Sequence, residues 1–118
     1  AKVSNEIKFT NSEYNYNFEL LELLKLSEKE FRLKFRGSPV KRIGRDRFIR
    51  NCCIAAGNSS NPNLVPYLVK LVLQDTSYLV RGAAIWAVKQ LAQEEIIKST
   101  ENKSKRIETD YSVIEEWN

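Results

Sequence analysis

The chain has no histidine and no methionine among its 118 residues, and only two cysteines, four glycines and three prolines. Lack of histidine removes the commonest general base and metal ligand. The two cysteines, Cys52 and Cys53, are adjacent. On a helix their side chains diverge by ~100°, which suits neither a shared metal nor a disulfide and fits small buried residues. Without a Cys/His cluster, a zinc or iron–sulfur site within the chain is not expected. No apolar run approaches the ~18 residues of a membrane span. No apolar stretch precedes a small-residue cleavage site at the N-terminus, so a cytoplasmic address is expected. The missing initial Met suggests a fragment or a processed product.

What is present is an ordinary globular balance, 42% hydrophobic and 29% charged, enough for one domain with a core. The charge is unevenly placed. From Arg32 to Arg50 there are eight basic residues and one acid, Asp46, a net +7. The whole chain is only +4, so the rest is mildly acidic. One basic region on an acidic body reads as a polyanion-facing surface.

Along the chain, residues 1–16 read as a loose polar arm whose Phe9 could dock. Leu20, Leu21, Leu23 and Leu24 predict a short amphipathic helix over 18–26. Ser27 and Glu30 form a capping box for a second helix, with Phe31 and Phe35 on its apolar face. Gly37 stops it, and Ser38-Pro39 begins a basic loop. Gly44 precedes a helix over 45–56 that buries Phe48, Ile49, Cys52, Cys53 and Ala56. Arg47, Arg50 and Asn51 lie on its other face. Gly57-Asn58 ends it. Pro66 suits the first turn of the next helix. Asp75-Thr76-Ser77 caps a helix over 78–93 that buries Leu79, Val80, Ala83, Trp86, Ala87 and Leu91. Asp46 and Asp75 are read as acids at helix N-termini.

A repeat emerges. Phe48 to Ala56 aligns with Leu79 to Ala87 at an offset of 31, with Arg50 matching Arg81. Paired helices at such a period indicate an α-solenoid. Leu64-Val-Pro66-Tyr-Leu68, then Leu71, Asp75, Val80-Arg81 and Ala84, resemble a HEAT unit. The expected fold is an all-α, short HEAT-like α-solenoid of antiparallel helix pairs over 17–93. Residues 94–118 read as a charged C-terminal extension, expected to be helical and to fray into solvent from Glu94 through Arg106. Within it, Asp110-x-Ser112 repeats Asp75-x-Ser77, and Val113, Ile114 and Trp117 close the open end of the core as a truncated third unit.

No catalytic set is visible. Ser38, Ser59 and Ser60 have no histidine partner, and the pairs Glu94-Glu95 and Glu115-Glu116 do not face each other. No residue is a candidate for catalysis, metal binding or cofactor binding. The basic stretch supplies Arg36, Lys41, Arg42, Arg45, Arg47 and Arg50 as candidate phosphate contacts at a helix entry, where N–H groups also attract phosphate. Arg50 and Arg81 have a structural alternative, an inter-repeat pair with Asp75. Only Phe48 interleaves the stretch, so backbone contact is indicated and base stacking is not.

Phe31-x-x-x-Phe35-Arg-Gly-Ser-Pro39-Val-Lys-Arg42-x-Gly44-Arg-x-x-Phe-x-Arg50-Asn51, Ile54-Ala-x-Gly57-Asn58-Ser and Asp75-x-Ser-x-x-Val80-Arg-Gly-Ala-x-x-Trp86-Ala together resemble the C-terminal HEAT-like domain of epoxyqueuosine reductase over about residues 18–92. The ending Asp110 to Trp117 resembles the tail of some members. The resemblance implies part of an enzyme that reduces epoxyqueuosine to queuosine at the tRNA wobble position with cobalamin and two 4Fe–4S clusters. It implies that this part helps hold the tRNA anticodon stem-loop. It also implies a chain that starts just past the cysteine motif of the second cluster. The cobalamin domain and cluster cysteines are absent, and Cys52 and Cys53 do not match cluster ligands, so catalysis by this chain alone is not expected. The implied partners are tRNA and the N-terminal catalytic domains of the same protein, with no membrane, and the chain is expected to be a monomer. The rival reading is a protein-interaction scaffold whose basic loop docks an acidic partner or that catalytic domain.

Overall fold

The computed structural model describes residues 19–118. The arm expected over 1–16 lies outside the described residues. Among those described, every regular element is helical, as the apolar spacing predicts. The described part of α1 covers 19–23. It is followed by α2 (Glu28–Lys34), α3 (Arg45–Gly57), α4 (Val65–Gln74), α5 (Tyr78–Leu91), α6 (Glu94–Ile107) and α7 (Tyr111–Glu115). Single 3-10 turns occupy Pro39–Ile43 and Pro62–Leu64.

Local sequence explains most of the boundaries. The Ser27 hydroxyl accepts from Glu30 N–H at 3.1 Å, and the Glu30 carboxylate accepts from Ser27 N–H at 2.9 Å. Two of the N–H groups that a helix start leaves open are thereby satisfied. Asn58 caps α3 where Gly57 ends it. Pro66 lies in the first turn of α4. Ser77 caps α5, its hydroxyl accepting from Val80 N–H.

Helix α5 lies at the centre. It packs against α3, α4 and α7, while α4 also packs against α6. The result is two rows, α3–α5–α7 and α4–α6, in which each unit shifts one helix pair along. Ile49, Val80 and Val113, at matching positions of the three inner helices, are all buried. At the N-terminal end, Phe31 and Phe35 of the α2 region meet Phe48 of α3 with ring centroids 4.9–5.3 Å apart. Such tilted aromatic pairs add about 0.5–1.5 kcal/mol each beyond the area they bury.

Four expectations change. Residues 94–107 are helical as expected, but α6 packs on α4 instead of fraying into solvent. Thr100 and Ser104 are buried there, and the Ser104 hydroxyl accepts the Trp117 indole N–H at 3.0 Å. A small polar residue can thus be interior when a partner arrives from another helix. Secondly, the third unit is aligned differently. Glu108-Thr109-Asp110-Tyr111 matches Asp75-Thr76-Ser77-Tyr78, because Asp110, not Ser112, caps the final helix. Val113 and Trp117 do close the core, with Ile114 half-buried. Thirdly, Asn51 is buried instead of sharing an exposed face with Arg47 and Arg50. Fourthly, Leu79 is exposed and Ala83, Trp86 and Leu91 are half-buried, while Ala84, Ile85 and Val88 take the deepest positions of α5.

Candidate nucleic-acid interface

The basic stretch folds into a turn clamped at both ends. The Ser38 hydroxyl accepts from Val40 N–H at 3.2 Å, and Pro39 begins the 3-10 turn. Gly37 and Gly44 flank the turn with φ of +77° and +85°, values that residues with a Cβ adopt at a cost. Through the Phe31–Phe35–Phe48 cluster the turn is held between α2 and α3. Arg36, Lys41, Arg42, Arg47 and Arg50 are all exposed. Gly37, Ser38, Pro39, Lys41 and Arg42 line a shallow concavity of about 580 Å³. Helix α3 starts without a side-chain cap, so the N–H groups of its first turn remain available to an anion. Arg32 is paired with Glu28 on the surface of α2, Nε to Oε2 at 2.9 Å.

Arg45 differs from its neighbours. Its guanidinium is buried and donates to both oxygens of Asp75, at 3.0 and 2.7 Å. It also donates to the Leu26 carbonyl at 3.1 Å and to Asp46 at 3.2 Å. Burial opposes the charge, but Asp75 and then Asp46 outweigh it and raise the pKa of Arg45. The candidate Arg45 is therefore engaged by the fold, since its donors are spent on a buried carboxylate and a carbonyl. Asp75 in turn is not an N-terminal acid of α5. It stands at the end of α4, and its Oδ2 accepts from Ser77 N–H at 3.0 Å.

The same device recurs one unit later. Arg81 donates from Nε and Nη2 to the two oxygens of Glu108, both at 2.8 Å, and from Nη1 to the Asp75 carbonyl at 3.1 Å. Glu108 ends α6 and accepts from Asp110 N–H at 3.0 Å, as Asp75 does from Ser77. Burial pushes the Glu108 carboxyl up, but Arg81 and the Asp110 and Thr109 N–H groups hold it below the usual carboxylate range. An inter-repeat pair at Arg81 thus exists, made with the Glu108 carboxylate, while Asp75 contributes its carbonyl. Arg50, its counterpart by sequence, instead reaches the Asn51 side chain at 3.3 Å and stays on the surface.

Sequence spacing missed the groove beside Arg50. Leu79, Ala83 and Trp86 at i, i+4 and i+7 of α5 line an open cleft of about 440 Å³ with Tyr78, Ile54 and residues of α7. Arg50 and Glu116 also line it. A signal was available: α5 carries apolar residues around more of its circumference than one packing face requires.

The donors for a metal or cluster do not fit. Cys52 and Cys53 are fully buried in α3, and burial pushes both thiols well above their ordinary range. Cluster ligation needs thiolates. Among the described residues no group of three His, Cys, Asp or Glu side chains could hold a metal ion. No helix among them is long and apolar enough to cross a membrane.

A HEAT repeat model matches residues 64–94, which contain α4 and α5. The chain is 36% identical over 90 residues to the epoxyqueuosine reductase of Francisella cf. novicida, covering 75% of this chain and 25% of that protein. The chain is related to the epoxyqueuosine reductases. It is 38% identical over 76 residues to the Pseudomonas aeruginosa reductase, covering 63% of this chain and 20% of that protein. With the Lactococcus garvieae reductase it shares 36% identity over 75 residues, 64% of this chain and 21% of that protein. The chain therefore matches only a quarter or less of the length of these reductases. No solved structure matches it.

Proposed function

We propose that this chain is the C-terminal, tRNA-holding domain of an epoxyqueuosine reductase, an enzyme that converts epoxyqueuosine to queuosine at the tRNA wobble position. In this reading it grips the anticodon stem-loop through Arg36, Lys41, Arg42, Arg47 and Arg50. One observation carries the reading: of the six basic candidates, five are left exposed on a rigid turn and the following helix, and only Arg45 is consumed internally. Exposed arginines suit bidentate phosphate contact. Similarity to epoxyqueuosine reductases supports, in this reading, an RNA as the polyanion. Cobalamin and iron–sulfur chemistry belongs, in this reading, to the part of the protein outside these residues.

The test is an NMR titration of the 118-residue chain with a tRNA anticodon stem-loop and with an unrelated hairpin of equal length, at two salt concentrations. Expected are salt-sensitive amide shifts that map to residues 36–50. Replacing one phosphate-binding arginine by alanine should reduce the salt slope of log affinity by roughly 0.7–0.9. Unmoved amides at low salt would sink the reading and leave the basic turn as a docking surface for the rest of its own protein.

A further inference from the structure

The groove along α5 is the strongest feature that this phosphate reading does not use. It lies between α3, α5 and α7, and its walls mix two aromatic rings with one cation and one acid. Tyr78 is 52% exposed and Trp86 is half-buried. Leu79 and Ala83 form the apolar surface between them along α5, while Arg50 and Glu116 are its charged members. A volume of about 440 Å³ is within the range of ~300–1,000 Å³ typical of small-ligand sites. A groove of about 440 Å³ is large enough for a nucleobase.

We propose that this groove is a base-binding subsite for one unpaired nucleotide of the RNA whose phosphates lie on the basic turn. The inference rests on the proposed RNA-holding role and adds a second kind of contact to it. Continuity of charge argues for this occupant. Arg50 lines the groove and also ends the run of exposed cations that begins at Arg36, and Arg47 lies one turn before it on α3. A strand whose phosphates follow that run arrives at the groove with a phosphate near Arg50. Its base then meets the Tyr78 and Trp86 rings, and stacking on such rings is tolerant of base identity. Glu116 offers carboxylate oxygens that accept from an exocyclic amine, the way acidic side chains recognise cytosine. A paired base cannot enter, because both its faces and its edge are occupied in a duplex.

The experiment uses the whole chain, a hairpin RNA with an unpaired cytidine-containing loop, and a blunt duplex with the same stem sequence. The Trp86 indole N–H resonance is followed beside the amides of residues 36–50, and Tyr78→Ala is compared with the unaltered chain. Tyr78 is a surface residue, so this variant tests the groove without emptying the core. Expected is a Trp86 shift with the hairpin only. Tyr78→Ala should weaken hairpin binding about 5- to 150-fold, the value of one stacked base, and by the same factor at both salt concentrations. Duplex affinity should not change. If the hairpin moves residues 36–50 while Trp86 stays still and Tyr78→Ala is neutral, the subsite is overturned and the phosphate reading survives. If neither RNA moves residues 36–50, both fall together.

Discussion

Arg45 and Arg47 are two positions apart in the same helix turn and sit in different surroundings, Arg45 buried and Arg47 exposed. Removing Arg45 leaves the Asp75 carboxylate, 6% exposed, without its cation. Breaking one side of a buried pair typically costs about 3–5 kcal/mol. Arg45→Ala should lower the urea midpoint accordingly, while Arg47→Ala should stay within about 0.5 kcal/mol of the unaltered chain and weaken RNA binding instead. Equal destabilisation by both would contradict this division. Local sequence could not have separated them, since both belong to one basic cluster. The difference comes from Asp75, 30 residues away, which faces one and not the other. The capping box at Ser27 and Glu30 was legible for the opposite reason: donor and acceptor are three residues apart, and the pattern holds its own partners.

Helix α5 was placed correctly by its apolar spacing, but its orientation was not. A period of 3.6 residues says that a helix has an apolar face without saying which neighbours cover it. Because α3, α4 and α7 all pack on α5, Ala84, Ile85 and Val88 became the interior, and Leu79 and Trp86 were left along the groove. Gly57 is part of that arrangement. A Cβ there would overlap the Trp86 ring and stand 3.2 Å from Ala87 Cα, so the absence of a side chain lets α3 and α5 approach. Gly57→Ala should cost about 1–3 kcal/mol, as overpacking does. It should also displace the Trp86 indole resonance in the free protein. Unchanged stability together with an unmoved resonance would refute the close approach.

Across the molecule, each junction between units carries an arginine–carboxylate pair, Arg45–Asp75 and then Arg81–Glu108, and at the N-terminal end the Phe31, Phe35 and Phe48 rings pack as well. The Glu108 carboxyl titrates below its ordinary value near 4.5, so its contribution is present above that pH and is lost as pH falls through the lowered folded value. Asp110 behaves similarly, its carboxyl held down first by the Ser112 hydroxyl. Acid should therefore loosen α7 before α3. Hydrogen exchange below about pH 4.5 is expected to rise first around Val113 and Trp117, and Glu108→Gln should show that loosening already at neutral pH. Simultaneous exposure of α3 and α7 would argue against the order. The sequence hinted at this third unit through Trp117 and Val113 and at a helix from Glu94, but concealed the packing of α6 on α4, because its polar composition resembles a solvated extension. Its interior positions, Thr100 and Ser104, are small polar residues, and the Ser104 hydroxyl meets its indole partner 13 residues later.

Two paired arginines, buried Arg45 and half-buried Arg81, reach forward along the chain, Arg45 to Asp75 and Arg81 to Glu108. On a ribosome, each cation therefore emerges about 30 residues ahead of the acid that neutralises it. An early unit cannot bury its arginine until the next has been translated. Closure must then follow the direction of synthesis, and a nascent chain paused before Asp75 keeps Arg45 in water.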